Sequence, residues 1–150
     1  MKIYIGADHG GFHLKEQVKT YLQKSGYEVE DQGNTVLDPD DDYPQYAAQV
    51  ATSVLTSGDD DPRGVILCTG AQGVAIAANR HKGIRASVVW DAHEARMTRN
   101  DNDSNVLCLS GRLMADDPAL WQGVLETWLS TPFSRAARHL RRVRELDTLG

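Results

Sequence analysis

Apolar residues recur along this chain in two alternating rhythms. Short runs that read as strands lie at Lys2–Gly6, Tyr27–Asp31, Val65–Leu67, Arg85–Trp90 and Asn105–Leu109. Between them the apolar positions take helical spacing. Leu14, Val18 and Leu22 form one stripe, with Gly26 as its C-terminal stop. Tyr46, Ala47, Val50, Val54 and Leu55 form a second, opened by Pro44 in the first turn and ending near Gly58. An Ala-rich helix follows Gly73, and another spans Ala92–Arg99. Leu120, Trp121, Val124, Leu125 and Trp128 give a helix over Pro118–Leu129. Ser134 is a good N-cap for a last helix over 134–148, carrying Ala136, Leu140, Val143 and Leu146.

Strands alternating with helices imply a parallel sheet covered on both faces. The expected architecture is α/β, a three-layer α/β/α sandwich with a Rossmann-like parallel sheet of about five strands. The 150 residues are enough for one domain, residues 1–150, with a substantial core.

Composition narrows the class. No run approaches the ~18 apolar residues of a membrane span, and the chain opens directly on a strand-like segment, so no signal peptide and a cytoplasmic location are expected. The two cysteines, Cys68 and Cys108, show neither CxxC nor metal-ligand spacing, so neither a structural disulfide nor a metal site is expected. A formal charge of -5 argues against nucleic acid as the main partner. That charge is unevenly placed. Asp38, Asp40, Asp41 and Asp42 crowd one loop and Asp59, Asp60 and Asp61 another, whereas Arg135, Arg138, Arg141, Arg142 and Arg144 crowd the C-terminal end.

Candidate chemistry gathers at strand ends. In an open α/β sheet ligands bind beyond the carboxyl ends of the strands. Asp8 and His9 follow the first strand, Cys68 and a glycine-bearing turn the third, and Arg112 the fifth. The turn and the helix start after Cys68 would favour its thiolate. Against this, a free cysteine is often simply a small core residue, and Asp8 and His9 can serve turn formation alone. Arg138 and Arg142, at i,i+4 in the last helix, either share a solvated face or hold a phosphate dianion between them. No magnesium-type ligand set or Walker-type lysine accompanies the turn, which argues against an NTPase.

Several ordered motifs carry a resemblance. Gly6-Ala7-Asp8-His9-Gly10-Gly11-Phe12, Asp42-Tyr43-Pro44, Ile66-Leu67-Cys68 through Ala77-Ala78-Asn79, Gly83-Ile84-Arg85-Ala86, Asn102-Asp103-Ser104-Asn105-Val106 and Arg138-His139 with Arg142 occur in this order. The chain resembles, from Met1 to about Arg144, the type B ribose-5-phosphate isomerases, a family that includes the galactose-6-phosphate isomerase subunits. The resemblance implies an aldose–ketose isomerase of a sugar phosphate, without metal or cofactor. It also implies a homodimer or tetramer whose active sites are shared between subunits. Cys68 matches the base that moves a proton between C1 and C2. Branches that use a glutamate six residues further on have Val74 at that position here. The backbone of Gly70, Ala71, Gln72, Gly73, Val74 and Ala75 matches the anion hole for the enediolate. His9 and Arg112 match phosphate contacts, as do Arg138 and Arg142 from the partner subunit. Asp8 and Tyr43 match sugar-facing positions, and Asn102 matches the substrate side of its own run.

Two departures from the family pattern stand out. The turn reads Cys68-Thr69-Gly70-Ala71-Gln72-Gly73, with its hydroxyl one place early at Thr69 and an alanine at a customary glycine. Asp101 stands where many members carry a histidine that helps open the furanose ring. Ribose 5-phosphate and ribulose 5-phosphate are the default substrates. A four-carbon sugar phosphate such as erythrose or erythrulose 4-phosphate is the alternative, and a non-catalytic phosphosugar-binding protein a third reading.

Overall fold

A computed structural model describes residues 1–149. Five strands, β1 (Lys2–Ala7), β2 (Glu28–Asp31), β3 (Arg63–Cys68), β4 (Ala86–Val88) and β5 (Val106–Ser110), pair in parallel in the order β2-β1-β3-β5-β4. The sheet grows one way from β1 to β2 and the other way from β3 onward. The topological switch point therefore lies between β1 and β3, and beyond the carboxyl ends of these strands is where open α/β sheets bind their ligands.

Among the described residues seven helices accompany the sheet: α1 (Phe12–Lys24), α2 (Tyr43–Thr56), α3 (Gln72–Ala78), α4 (Ala92–Asn102), α5 (Gly111–Met114), α6 (Pro118–Ser130) and α7 (Ala137–Leu146). Strand residues alternate between the two faces, as the pleat requires. Ile3, Ile5, Val65, Leu67, Leu107 and Leu109 pack with α1 and α6 through Leu14, Val18, Trp121, Leu125 and Trp128. Tyr4, Ile66, Val106 and Cys108 pack with α2 and α3 through Val50, Val54, Val74 and Ala78. The three-layer sandwich is as expected. No helix among the described residues is long and apolar enough to cross a membrane.

The structure departs from the sequence reading at several points, α4 among them, which runs to Asn102 rather than Arg99. The last helix begins at Ala137, not Ser134, because Arg135 sits at φ 55, outside helical space. Ser134 does not cap that helix; its hydroxyl meets His139 Nδ1 at 2.7 Å and accepts from the Ala136 amide at 3.3 Å. β4 is shorter than Arg85–Trp90, since the Arg85 amide turns to the Asn105 side chain (2.8 Å) and Trp90 lies exposed. The short α5 was not expected. It starts because the Ser110 hydroxyl at the end of β5 accepts from the Leu113 amide.

Candidate active site

The turns after β1, β3 and β5 interlock through glycines. A Cβ on Gly11 would stand 2.3 Å from the Leu67 carbonyl carbon, and one on Gly10 1.8 Å from Thr69 Oγ1. A Cβ on Gly111 would stand 2.6 Å from the Gly10 carbonyl oxygen. Real Cβ atoms do not approach so closely, so only glycine lets the three strand ends pack against one another. From the β5 side, the Ser110 hydroxyl and the Arg112 amide both donate to the Thr69 carbonyl, at 2.8 and 3.1 Å, and hold the turn.

At the centre Cys68 Sγ donates to Asp8 Oδ2 at 3.1 Å. Asp8 is buried, and its other oxygen accepts from the Gly11 amide at 3.1 Å. The expectation that this turn lowers the Cys68 pKa is corrected. Burial first, and the Asp8 carboxylate second, push the thiol up; the amides of Gly70 and Ala71 pull the other way and are outweighed. The helix beyond the turn, α3, has only seven residues and so a small dipole. Cys108 lies fully buried in the core, where burial pushes its thiol far up. Its thiol belongs to packing.

The remaining candidates on this edge fall around the turn. Ala71 takes the left-handed conformation at φ 64 that glycine adopts without strain, and its methyl is buried. Val74 is wholly buried in the core and Ala75 nearly so, which leaves them backbone groups only, while Gln72 is exposed. The Arg112 guanidinium lies against Gly70, 3.4 Å from where a Cβ would be, and the Tyr43 ring lies on Gly73, 2.7 Å from such an atom. His9 stands at the rim with its ring half-exposed and Nδ1 2.7 Å from Asp41 Oδ1. Sequence reasoning saw Asp41 only as one of an acidic run; no local pattern pairs it with a histidine 32 residues away.

Four candidates lie elsewhere. The strands are parallel, so α4, which leaves the carboxyl end of β4, must return to the opposite edge before β5 begins at Val106. Asp101 and Asn102 end α4 and therefore sit at the amino edge of the sheet, away from Cys68. α7 packs on α4 there. Arg138 Nε donates to Nε2 of the buried His139 at 3.0 Å, and that nitrogen stands 3.7 Å from Asp101 Oδ1. Arg142 is exposed one turn further on. Within one chain Asp101, Asn102, Arg138 and Arg142 do not join the candidates at the carboxyl edge. Among the described residues no three His, Cys, Asp or Glu side chains converge as metal ligands.

The family model described as Ribose/Galactose Isomerase matches residues 3–146. A curated ribose-5-phosphate isomerase B from Mycolicibacterium paratuberculosis is 36% identical over 143 residues, covering 95% of this chain and 87% of that one. Among solved structures, a ribose 5-phosphate isomerase from Thermotoga maritima superposes with a TM-score of 0.91 at 43% identity, over 99% of this chain and 98% of that one. A ribose-5-phosphate isomerase B from Mycoplasma genitalium with bound ribulose-5-phosphate superposes with a TM-score of 0.90 at 33% identity, over 97% and 93%. The chain belongs to the ribose/galactose isomerase family.

Proposed function

We propose that this protein interconverts an aldose phosphate and its ketose, with ribose 5-phosphate and ribulose 5-phosphate as substrates and Cys68 as the base. The observation that carries the reading is the Cys68–Asp8 pair at the switch point, with Sγ 3.1 Å from Oδ2. A thiol is a poor base, and Asp8 Oδ2 is in place to take its proton and leave the thiolate. The thiolate removes the proton from C2 of the open-chain aldose, and the C2–H electron pair forms the enediolate. The same proton, or one exchanged with solvent, returns at C1 while the O2 hydroxyl proton passes to O1, so that C2 becomes the carbonyl and C1 the hydroxymethyl group of the ketose. The backbone N–H groups from Gly70 to Val74 answer the charge that develops on the enediolate oxygens; the Ala75 amide, expected among them, instead donates to the Ala71 carbonyl at 3.2 Å. One such donor is worth about 2.7–4 kcal/mol of barrier in other enzymes. His9 and Arg112 take the phosphate, with Asp8 and Tyr43 on the sugar and Thr69 beside the base. No metal or cofactor enters this sequence.

The opposite-edge placement of Asp101, Asn102, Arg138 and Arg142 supports a site completed by a second copy of the chain. In a homodimer the amino edge of one subunit would face the crevice of the other. A dimer, or a tetramer of such dimers, then carries shared sites.

The test is turnover of ribose 5-phosphate in deuterated water. Ribulose 5-phosphate should form with solvent deuterium entering the transferred position. A chain that binds the sugar phosphate but neither converts it nor exchanges its C2 hydrogen would be a binding protein instead. Asp101 favours a second reading, a four-carbon sugar phosphate, and faster turnover of erythrose 4-phosphate would select it.

A further inference from the structure

Asp41 carries a carboxylate that none of the steps above uses, and it is held from three sides. Its side chain is 3% exposed, against 44% for the His9 side chain it touches. Oδ1 accepts from both the His9 amide at 3.1 Å and ring Nδ1 at 2.7 Å. Oδ2 accepts from Asn34 Nδ2 at 3.2 Å. The Asn34 carbonyl in turn accepts from Lys15 Nζ at 2.8 Å, and Lys15, wholly buried on α1, is anchored by both oxygens of Asp31 at 2.7 and 2.9 Å. A buried lysine thus fixes an asparagine, the asparagine fixes Asp41, and Asp41 fixes His9.

That contact decides what His9 can offer a ligand. A carboxylate at Nδ1 keeps a hydrogen there in either protonation state. The neutral ring then presents Nε2 as an acceptor, which is useless to a phosphate oxygen, itself an acceptor. Only the imidazolium donates from Nε2. The groups facing the ring favour that form: the hydrogen bond that Nδ1 donates to Asp41 raises the His9 pKa first, burial opposes it, and the charges of Asp8, Asp41 and Asp38 add to the rise.

We propose that Asp41 is a positioning residue that orients His9 and presents Nε2–H to the substrate's phosphate. This rests on His9 being a phosphate contact. The proposal has a sign that separates it from a generic charge effect. An extra carboxylate near a phosphate site repels the dianion, so neutralising a mere loop charge would tighten binding. Neutralising a residue that keeps His9 charged and oriented weakens it.

The experiment measures kcat, KM for ribose 5-phosphate and inhibition by inorganic phosphate from pH 6 to 9 in wild type, Asp41→Asn, Asn34→Ala and His9→Gln. Asp41→Asn should raise KM about tenfold with kcat changed by less than about twofold, as expected for lost binding that is uniform along the reaction. The pH above which phosphate inhibition fades should fall, because His9 loses its proton earlier. Asn34→Ala, which loosens Asp41 without removing its charge, should move KM the same way by less, and serves if Asp41→Asn unfolds. An unchanged or lower KM in both Asp41→Asn and Asn34→Ala, with His9→Gln raising KM, would overturn the role of Asp41 alone. An unchanged KM in His9→Gln would overturn the phosphate role of His9, and this inference with it.

Discussion

Cys68 Sγ donates to Asp8 Oδ2 across 3.1 Å, from the end of β3 to the end of β1, so a thiol and a buried carboxylate hold one proton between them. Two elements 60 residues apart in sequence meet because Gly10 and Gly11 let the β1 turn settle on Leu67 and Thr69. The pair joins two opposed demands. Asp8 makes the thiolate harder to form in the resting site, yet in the proposed reaction it is the acceptor for the thiol's proton.

The first prediction separates the two cysteines. Cys68→Ser should lose at least about a hundredfold in kcat, the scale of a positioned base, while still binding phosphosugar. Cys108→Ser should keep kcat and lose about 1–3 kcal/mol of stability, because a hydroxyl replaces a thiol in an apolar core. Steady-state kinetics and thermal unfolding of both variants check this. Equal kinetic losses would refute the assignment.

Asp8→Asn tests the pair itself. Removing the negative charge lowers the Cys68 pKa, so the pH midpoint for alkylation by iodoacetamide should move down. Isomerisation should nevertheless fall about a hundredfold, since the acceptor for the thiol proton is gone. A faster-alkylating thiol in a slower enzyme is the expected signature. Cys108 is fully buried and should not contribute to the alkylation signal.

The glycine interlock makes a stability prediction. In Gly11→Ala the new methyl would meet Leu67 backbone atoms at 2.3–2.4 Å, and backbone cannot swing aside. The cost should be about 2–3 kcal/mol of overpacking, seen as a fall in Tm. Gly58→Ala, with nothing within 4 Å of the added atom, is the control and should show no fall.

Much of this was legible in local pattern. The apolar runs and glycine turns mark all five strand ends within two residues, and topology then brings Asp8, Cys68 and Arg112 to one edge. Even the far placement of Asp101 is implicit in element order, because a helix between parallel strands must return to the amino edge. What stayed hidden depends on nonlocal partners. The direction of the Cys68 shift needs the burial of the site and a carboxylate from β1. The Asp41–His9 contact joins a loop to a turn. Ser134 looked like a cap because nothing local reveals that its hydroxyl goes to His139 or that Arg135 turns left-handed.

Shared sites have a direct test. Mixing Cys68→Ser chains with Arg138→Ala/Arg142→Ala chains should restore activity in heterodimers, where one of the two sites has both intact halves. Random exchange of equal amounts should give about a quarter of wild-type activity for a two-fold assembly. No recovery after confirmed subunit exchange would place the phosphate contacts within one chain.

The last prediction concerns Asp101. Ribose 5-phosphate in solution is mostly a furanose closed by its C4 hydroxyl, which must open before C2 loses its proton. Opening needs a base at the anomeric hydroxyl and an acid at the ring oxygen, work that suits a histidine. Here the side chain is a carboxyl group in place of an imidazole. Its oxygen is engaged by Asn100 Nδ2 at 2.6 Å, and the histidine beside it, His139, is buried and already accepts from Arg138. No neighbour described on this edge supplies the missing acid. In a tetrose 4-phosphate the C4 oxygen carries the phosphate, so the furanose cannot form and no opening step is required. The hypothesis is that this chain favours four-carbon substrates more than its histidine-bearing relatives do. Asp101→His should then raise kcat/KM for ribose 5-phosphate by about tenfold, the low side of a general acid–base contribution, and leave that for erythrose 4-phosphate nearly unchanged. Wild-type turnover of ribose 5-phosphate far above that of any tetrose phosphate would show that Asp101 does not set the substrate.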